Sequence, residues 1–135
     1  MKGYLLKEKI IIIGESCVIE SQAAEREFVV VFEDDTETGY FYAAEREGAS
    51  GGLRILDMVF IYDVESVAAS NKKVKLAVIW STDWQRCGLI LDNTCHAVFD
   101  FENKAGYNVT GFPPPILWNA SSRTLSEEMV KAFFG

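Results

Sequence analysis

With 135 residues, 49% of them hydrophobic and 13% aromatic, the chain has the length of one domain and too much apolar content to remain disordered. Thirteen basic residues against twenty acidic ones leave a formal charge of −7. That balance disfavours nucleic acid, whose affinity comes mainly from Lys and Arg neutralising phosphates; its plainest effect is solubility, with the steering of a basic protein partner as the alternative. Three cysteines (Cys17, Cys87, Cys95), odd in number and without CxxC spacing, and an N-terminus lacking any long apolar run, point to a cytoplasmic chain with reduced thiols and no membrane segment.

Residues 10–13 and 17–19 are β-branched runs broken by Gly14, which reads as two strands meeting at a bend or bulge. The polar stretch 22–27 is a loop. Residues 28–33 and 40–44 flank Asp34-Asp-Thr-Glu-Thr-Gly39, and β-forming runs around a short polar segment ending in Gly signal a hairpin. Both faces of its first strand are apolar, which places that strand inside the sheet. The hairpin tip carries Glu33, Asp34, Asp35 and Glu37. A solvated turn is the plainest account of them, with a weak cation site or a contact for a basic partner as alternatives. The alternating ligands, central Gly and twelfth-position Glu of a calcium loop are missing.

Residues 45–52 form a charged, then Gly/Ser-rich loop. Over 53–64, alternation puts Leu56, Met58, Phe60 and Tyr62 on one face and Asp57, Val59, Ile61 and Asp63 on the other. The β-branched and aromatic content favours a strand, with a helix as the alternative. A turn or short helix fits 65–73. Residues 73–80, 86–91 and 95–101 form a three-stranded meander with turns at 81–84 and 92–93, where Asx residues tolerate positive φ. A loop or short edge strand follows over 103–111, and Pro113-Pro-Pro115 stops regular pairing. At the C-terminus, Thr124-x-x-Glu127 fits a capping box, and Leu125, Met129 and Phe133, with Val130 beside them, make an apolar stripe that must bury itself on the sheet. The expectation is an α+β, mainly β, single domain over 1–135: an antiparallel sheet curled into a roll or sandwich, with one C-terminal helix packed on it.

Gly48-Ala-Ser-Gly-Gly52 has the letters of the nucleophile elbow, and Asp63 or Asp83 followed by His96 completes the chain order of a hydrolase triad. The mechanism needs a strand entering and a helix leaving the serine, whereas charges precede this one and a strand follows it, so a flexible loop is expected. His96 is the only histidine. Asp100 shares its strand face but stands roughly 13 Å away at a strand's rise, too far for an acid–base pair. His96, Val98 and Asp100 read as the wetter face of a strand whose Ala97, Phe99 and Phe101 are core. Trp84, in a turn, is either a binding contact or folded back over the sheet. The candidate binding residues are therefore Glu33, Asp34, Asp35, Glu37, Trp84, His96 and Asp100. No catalytic residue, metal ligand or cofactor is assigned.

Three blocks, Phe32-Glu-Asp-Asp-x-Glu-Thr-Gly-Tyr-Phe-Tyr-Ala43, His96-Ala-Val-Phe-Asp-Phe101 and Gly111-Phe-Pro-Pro-Pro115, resemble a small family of uncharacterised bacterial domains. The resemblance implies a bacterial, cytosolic, single-domain protein and brings no established activity. The leading functional expectation is a non-enzymatic protein-binding module, toxin-neutralising by analogy with other small acidic bacterial domains. The alternatives are a small-molecule-binding or hydrolytic domain using His96 with a cross-strand carboxylate, and a self-associating structural domain.

Overall fold

Apolar residues alternating along short, turn-punctuated runs give a β-rich chain here. The structure, a computed structural model, describes residues 1–48, 51–66, 72–114, 118 and 122–135. Its strands are β1 (Tyr4–Ile12), β2 (Cys17–Gln22), β3 (Phe28–Asp34), β4 (Thr38–Glu47), β5 (Gly52–Asp63), β6 (Lys73–Trp80), β7 (Arg86–Leu91), β8 (Thr94–Asp100) and β9 (Ala105–Asn108); α1 spans Glu127–Phe134. They pair antiparallel in two sheets, of order β2-β3-β4-β5 and β1-β6-β7-β8-β9. As expected, β3 is an interior strand and the 28–47 hairpin and the β6–β8 meander form.

The two sheets face each other. Val30, Phe32, Phe41 and Val59 of the four-stranded sheet meet Leu76, Val78, Leu89 and Phe99 of the other. Phe41 stacks on Phe99 with centroids 5.0 Å apart, and Phe28 on Phe101 at 4.3 Å. Trp80 spans the layers, its indole N–H donating to Ser21 Oγ at 3.0 Å, so the buried donor is satisfied. The result is an open sandwich.

Segment 53–64 is a strand, but its alternation is broken twice. Ile61 is the extra residue between the pairs Gly39–Tyr62 and Tyr40–Phe60, and Leu56 the extra one between Ala43–Asp57 and Ala44–Ile55. Each bulge inverts the side-chain parity. Val59, Ile61 and Tyr62 are therefore all buried, while Met58 and Phe60 lie half-exposed on the outer face. Gly39 permits the crossing, because a Cβ there would sit 2.7 Å from the Tyr62 ring.

The C-terminal helix starts later than its capping box predicts. Thr124 is held in a parallel bridge with Asn108, and Ser126 caps instead, its Oγ accepting from the Met129 N–H at 3.2 Å. The apolar stripe accordingly turns: Phe134 is buried, with Leu125, Val130 and Phe133 packed around it on Ile79 and Val98, while Met129 stays outside that cluster. This helix lies on the outer face of the five-stranded sheet. Val98 and Asp100, expected on a wet face, are buried.

One side of the sandwich is closed. The Phe60 N–H donates to the Phe112 carbonyl at 3.0 Å, and Asn108 Nδ2 donates to Phe60 O at 2.7 Å and Phe112 O at 2.8 Å, so β9 is bound to β5. On the other side, the edges of β1 and β2 stand apart, with Ile10 and Val18 well exposed.

Candidate functional site

The acidic hairpin tip is divided among different tasks. Asp34 is fully buried: its Oδ2 accepts from the Tyr62 hydroxyl at 2.5 Å and the Gly14 N–H at 2.8 Å, and its Oδ1 from the Thr36 N–H at 2.8 Å. It fastens the β1–β2 bend and β5 to the tip and cannot meet a partner, which corrects its place among the binding candidates. Asp35 shapes the turn, accepting from the N–H groups of Glu37 and Thr38; those bonds hold its carboxyl below the usual range. Glu33 stays half-exposed and accepts from the Tyr42 hydroxyl at 3.3 Å. Burial, and then the charge of Glu33, raise the Tyr42 phenol.

Glu37 is exposed and lines a cleft of about 730 Å³, together with Thr36, Thr38, Tyr40, Phe60 and Asp63, continued by Val64, Glu65, Thr110 and Phe112. Its backbone carbonyl accepts from the Val64 N–H at 2.9 Å, which ties the turn to the end of β5. Cross-strand pairing of Tyr40 with Phe60 and of Tyr42 with Met58 puts these side chains on the outer face of the four-stranded sheet. A row of rings results: Tyr42 to Tyr40 at 6.2 Å, Tyr40 to Phe60 at 6.4 Å, Phe60 to Phe112 at 6.0 Å. Phe112, 55% exposed, ends the row at the rim. No Lys or Arg lines this cleft among the described residues.

The remaining candidates lie away from this cleft. Trp84 adopts φ +61° and folds back, stacking on Tyr4 with centroids 4.6 Å apart and lying 6.2 Å from Trp80. Asp100 is buried, accepting from Arg86 Nε at 3.3 Å and from the side-chain and backbone N–H groups of Asn103. His96 is the extra residue of a bulge opposite Ile90; burial lowers the pKa of its ring. The cleft above excludes it, as do the clefts at Lys9–Ile19, beside α1 and at Leu5–Asn93. His96 and Asp100 are not brought into one constellation. The Gly48–Gly52 segment joins β4 to β5 as antiparallel neighbours, which is the wrong context for an elbow; Ser50 lies outside the described residues.

Sequence reasoning missed Tyr40, Phe60, Asp63, Glu65 and Phe112 because the bulges and the long connection hide their proximity. The signal that could have found them is the outward aromatic pair Tyr40 and Tyr42 beside an acidic tip. It also missed Arg123, which is buried and donates to Asp57 Oδ1 at 3.1 Å and to the Met58 carbonyl at 3.0 Å. Burial raises the Asp57 carboxyl, and Arg123 partly opposes that rise. This pair pins the segment before α1 across β5.

No helix among the described residues is long and apolar enough to cross a membrane. A relative from Haemophilus influenzae, itself described as an uncharacterized protein, is 39% identical over 97 residues. The match covers 71% of this chain and 58% of the relative, so the chain spans somewhat over half the length of that protein. No solved structure matches the chain. Over residues 11–134 it matches the family described as an uncharacterized protein conserved in bacteria (DUF2251), and the chain belongs to that family.

Proposed function

We propose that the chain is a non-enzymatic protein-binding module that receives a basic segment of a protein partner on the outer face of its four-stranded sheet. The observation that carries this is the row Tyr42–Tyr40–Phe60–Phe112, bordered by Glu33, Glu37, Asp63 and Glu65. The helix covers the outer face of the other sheet, whereas these rings stay accessible. Aromatic faces attract cations and carry much of the energy of protein interfaces, and the net charge of −7 draws a basic surface towards them. A cytosolic toxin with a basic active surface is the partner class that fits a neutralising role. Self-association through the open β1 edge is less well supported, because Lys7 and Lys9 charge that strand and oppose pairing with a copy of itself.

The test is an NMR titration with an unstructured peptide of mixed Lys and Arg, and with a Glu/Asp peptide of equal length. Amide shifts confined to β4, the end of β5 and residues 110–112, weakening with salt and absent with the acidic peptide, are expected. Shifts spread evenly over the acidic surface, or none, would overturn the proposal.

A further inference from the structure

We infer that the cleft at the end of β5 is a subsite for one arginine side chain of that partner, an inference that rests on the reading above. Phe60 forms the middle wall. Tyr40 stands 79° to it and Phe112 84°, so the rings present flat faces in two nearly perpendicular directions. Around them, Glu37 comes from the β3–β4 turn, Asp63 from the end of β5 and Glu65 from the following turn. The Asp63 carboxylate is fixed in direction, its Oδ1 accepting from the Glu65 N–H at 3.3 Å and its Oδ2 from the Ser66 hydroxyl at 3.2 Å. Among the described residues no cation pairs with Glu37 or Glu65.

A guanidinium suits this arrangement better than an ammonium. It is planar, weakly hydrated, stacks on aromatic faces and spreads five N–H donors in one plane, so it can lie on a ring while its edge meets the Asp63 carboxylate, held in a fixed direction. An ammonium is compact and strongly hydrated, and would surrender more water for less contact with flat rings. The cleft volume of about 730 Å³ is ample for a long side chain together with water and the residues that flank it.

The experiment compares blocked arginine amide with blocked lysine amide by NMR titration. Saturable shifts at Thr38, Tyr40, Val64 and Phe112 are expected, with the lysine compound about fivefold weaker. Phe60→Leu, which keeps apolar bulk and removes the π face, should weaken arginine binding about fivefold to tenfold, the range of a partly exposed cation–π contact. The exposed Glu65→Gln, which leaves the core untouched, should weaken it less. Equal affinity for the two amides, or arginine binding indifferent to both substitutions, would overturn the inference. A Lys-only peptide that occupies the face when the arginine amide does not would sink the arginine subsite and leave the wider reading standing. Failure of every basic probe would sink both.

Discussion

Tyr62 and Asp34 form a buried hydrogen bond, the phenol donating to the carboxylate at 2.5 Å. Burial, and then the bond to Asp34, push the Tyr62 phenol well above its ordinary value. The folded value exceeds the unfolded one, so the stabilisation is fully present below about pH 10 and is lost as pH rises beyond it. Tyr62→Phe should lower stability by about 1–2 kcal/mol at neutral pH, measured by urea unfolding, since Asp34 loses a buried donor. The variant should also lack the extra alkaline loss. His96 behaves oppositely: burial lowers its folded value, so its contribution is present above about pH 6.5 and is lost as pH falls. His96→Gln should flatten the stability profile between about pH 5 and 7. Burial pushes the Cys95 thiol up to about 11 and raises Cys87 and Cys17 as well. Native protein should therefore react with iodoacetamide far more slowly than unfolded protein, followed by mass spectrometry.

At the level of elements, α1 depends on Ser126. Ser126→Ala should cost about 1 kcal/mol in chemical denaturation, while Thr124→Ser, which keeps the backbone bridge, should cost less. The capping-box spacing Thr124-x-x-Glu127 placed the cap at Thr124 in the sequence. Long-range pairing decides otherwise: Asn108 donates its N–H to Arg123 O and accepts from the Leu125 N–H, which holds that stretch extended until Ser126. The strands were legible because their apolar alternation is a local property, and the Asx turn at 92–93 because both residues take positive φ. The faces of β5 were not legible, since a bulge shifts parity without any change of composition. Likewise Asp34 looked like part of a solvated tip, because its partners Gly14 and Tyr62 lie far away in the chain.

Across the whole molecule, Asn108 couples the two sheets and shapes the cleft. Its side chain donates its two N–H groups to Phe60 O and Phe112 O and accepts from the Gly111 N–H, fixing the Phe60–Phe112 wall. Asn108→Ala should destabilise the protein by about 3 kcal/mol in urea unfolding, because several buried groups lose partners at once. It should also weaken binding of the mixed Lys/Arg peptide under conditions where the variant remains folded. The site was less visible in the sequence than the fold, since its residues come from a hairpin tip, a strand end and a loop that only the closed side of the sandwich assembles.

The pairing of β1 with β6 has a consequence for how the chain is made. Its neighbour in the sheet comes only after β2 to β5 have been built. During synthesis at about 5–20 residues per second, the first strand waits roughly 3–12 s for its mate to leave the ribosome. The four-stranded sheet can form from successive local hairpins in that interval, because short loops close fast. For those seconds Leu5 and Ile10 travel unpaired, and the Lys7-Glu8-Lys9 run between them guards a newborn chain against sticking to its neighbours on the same messenger.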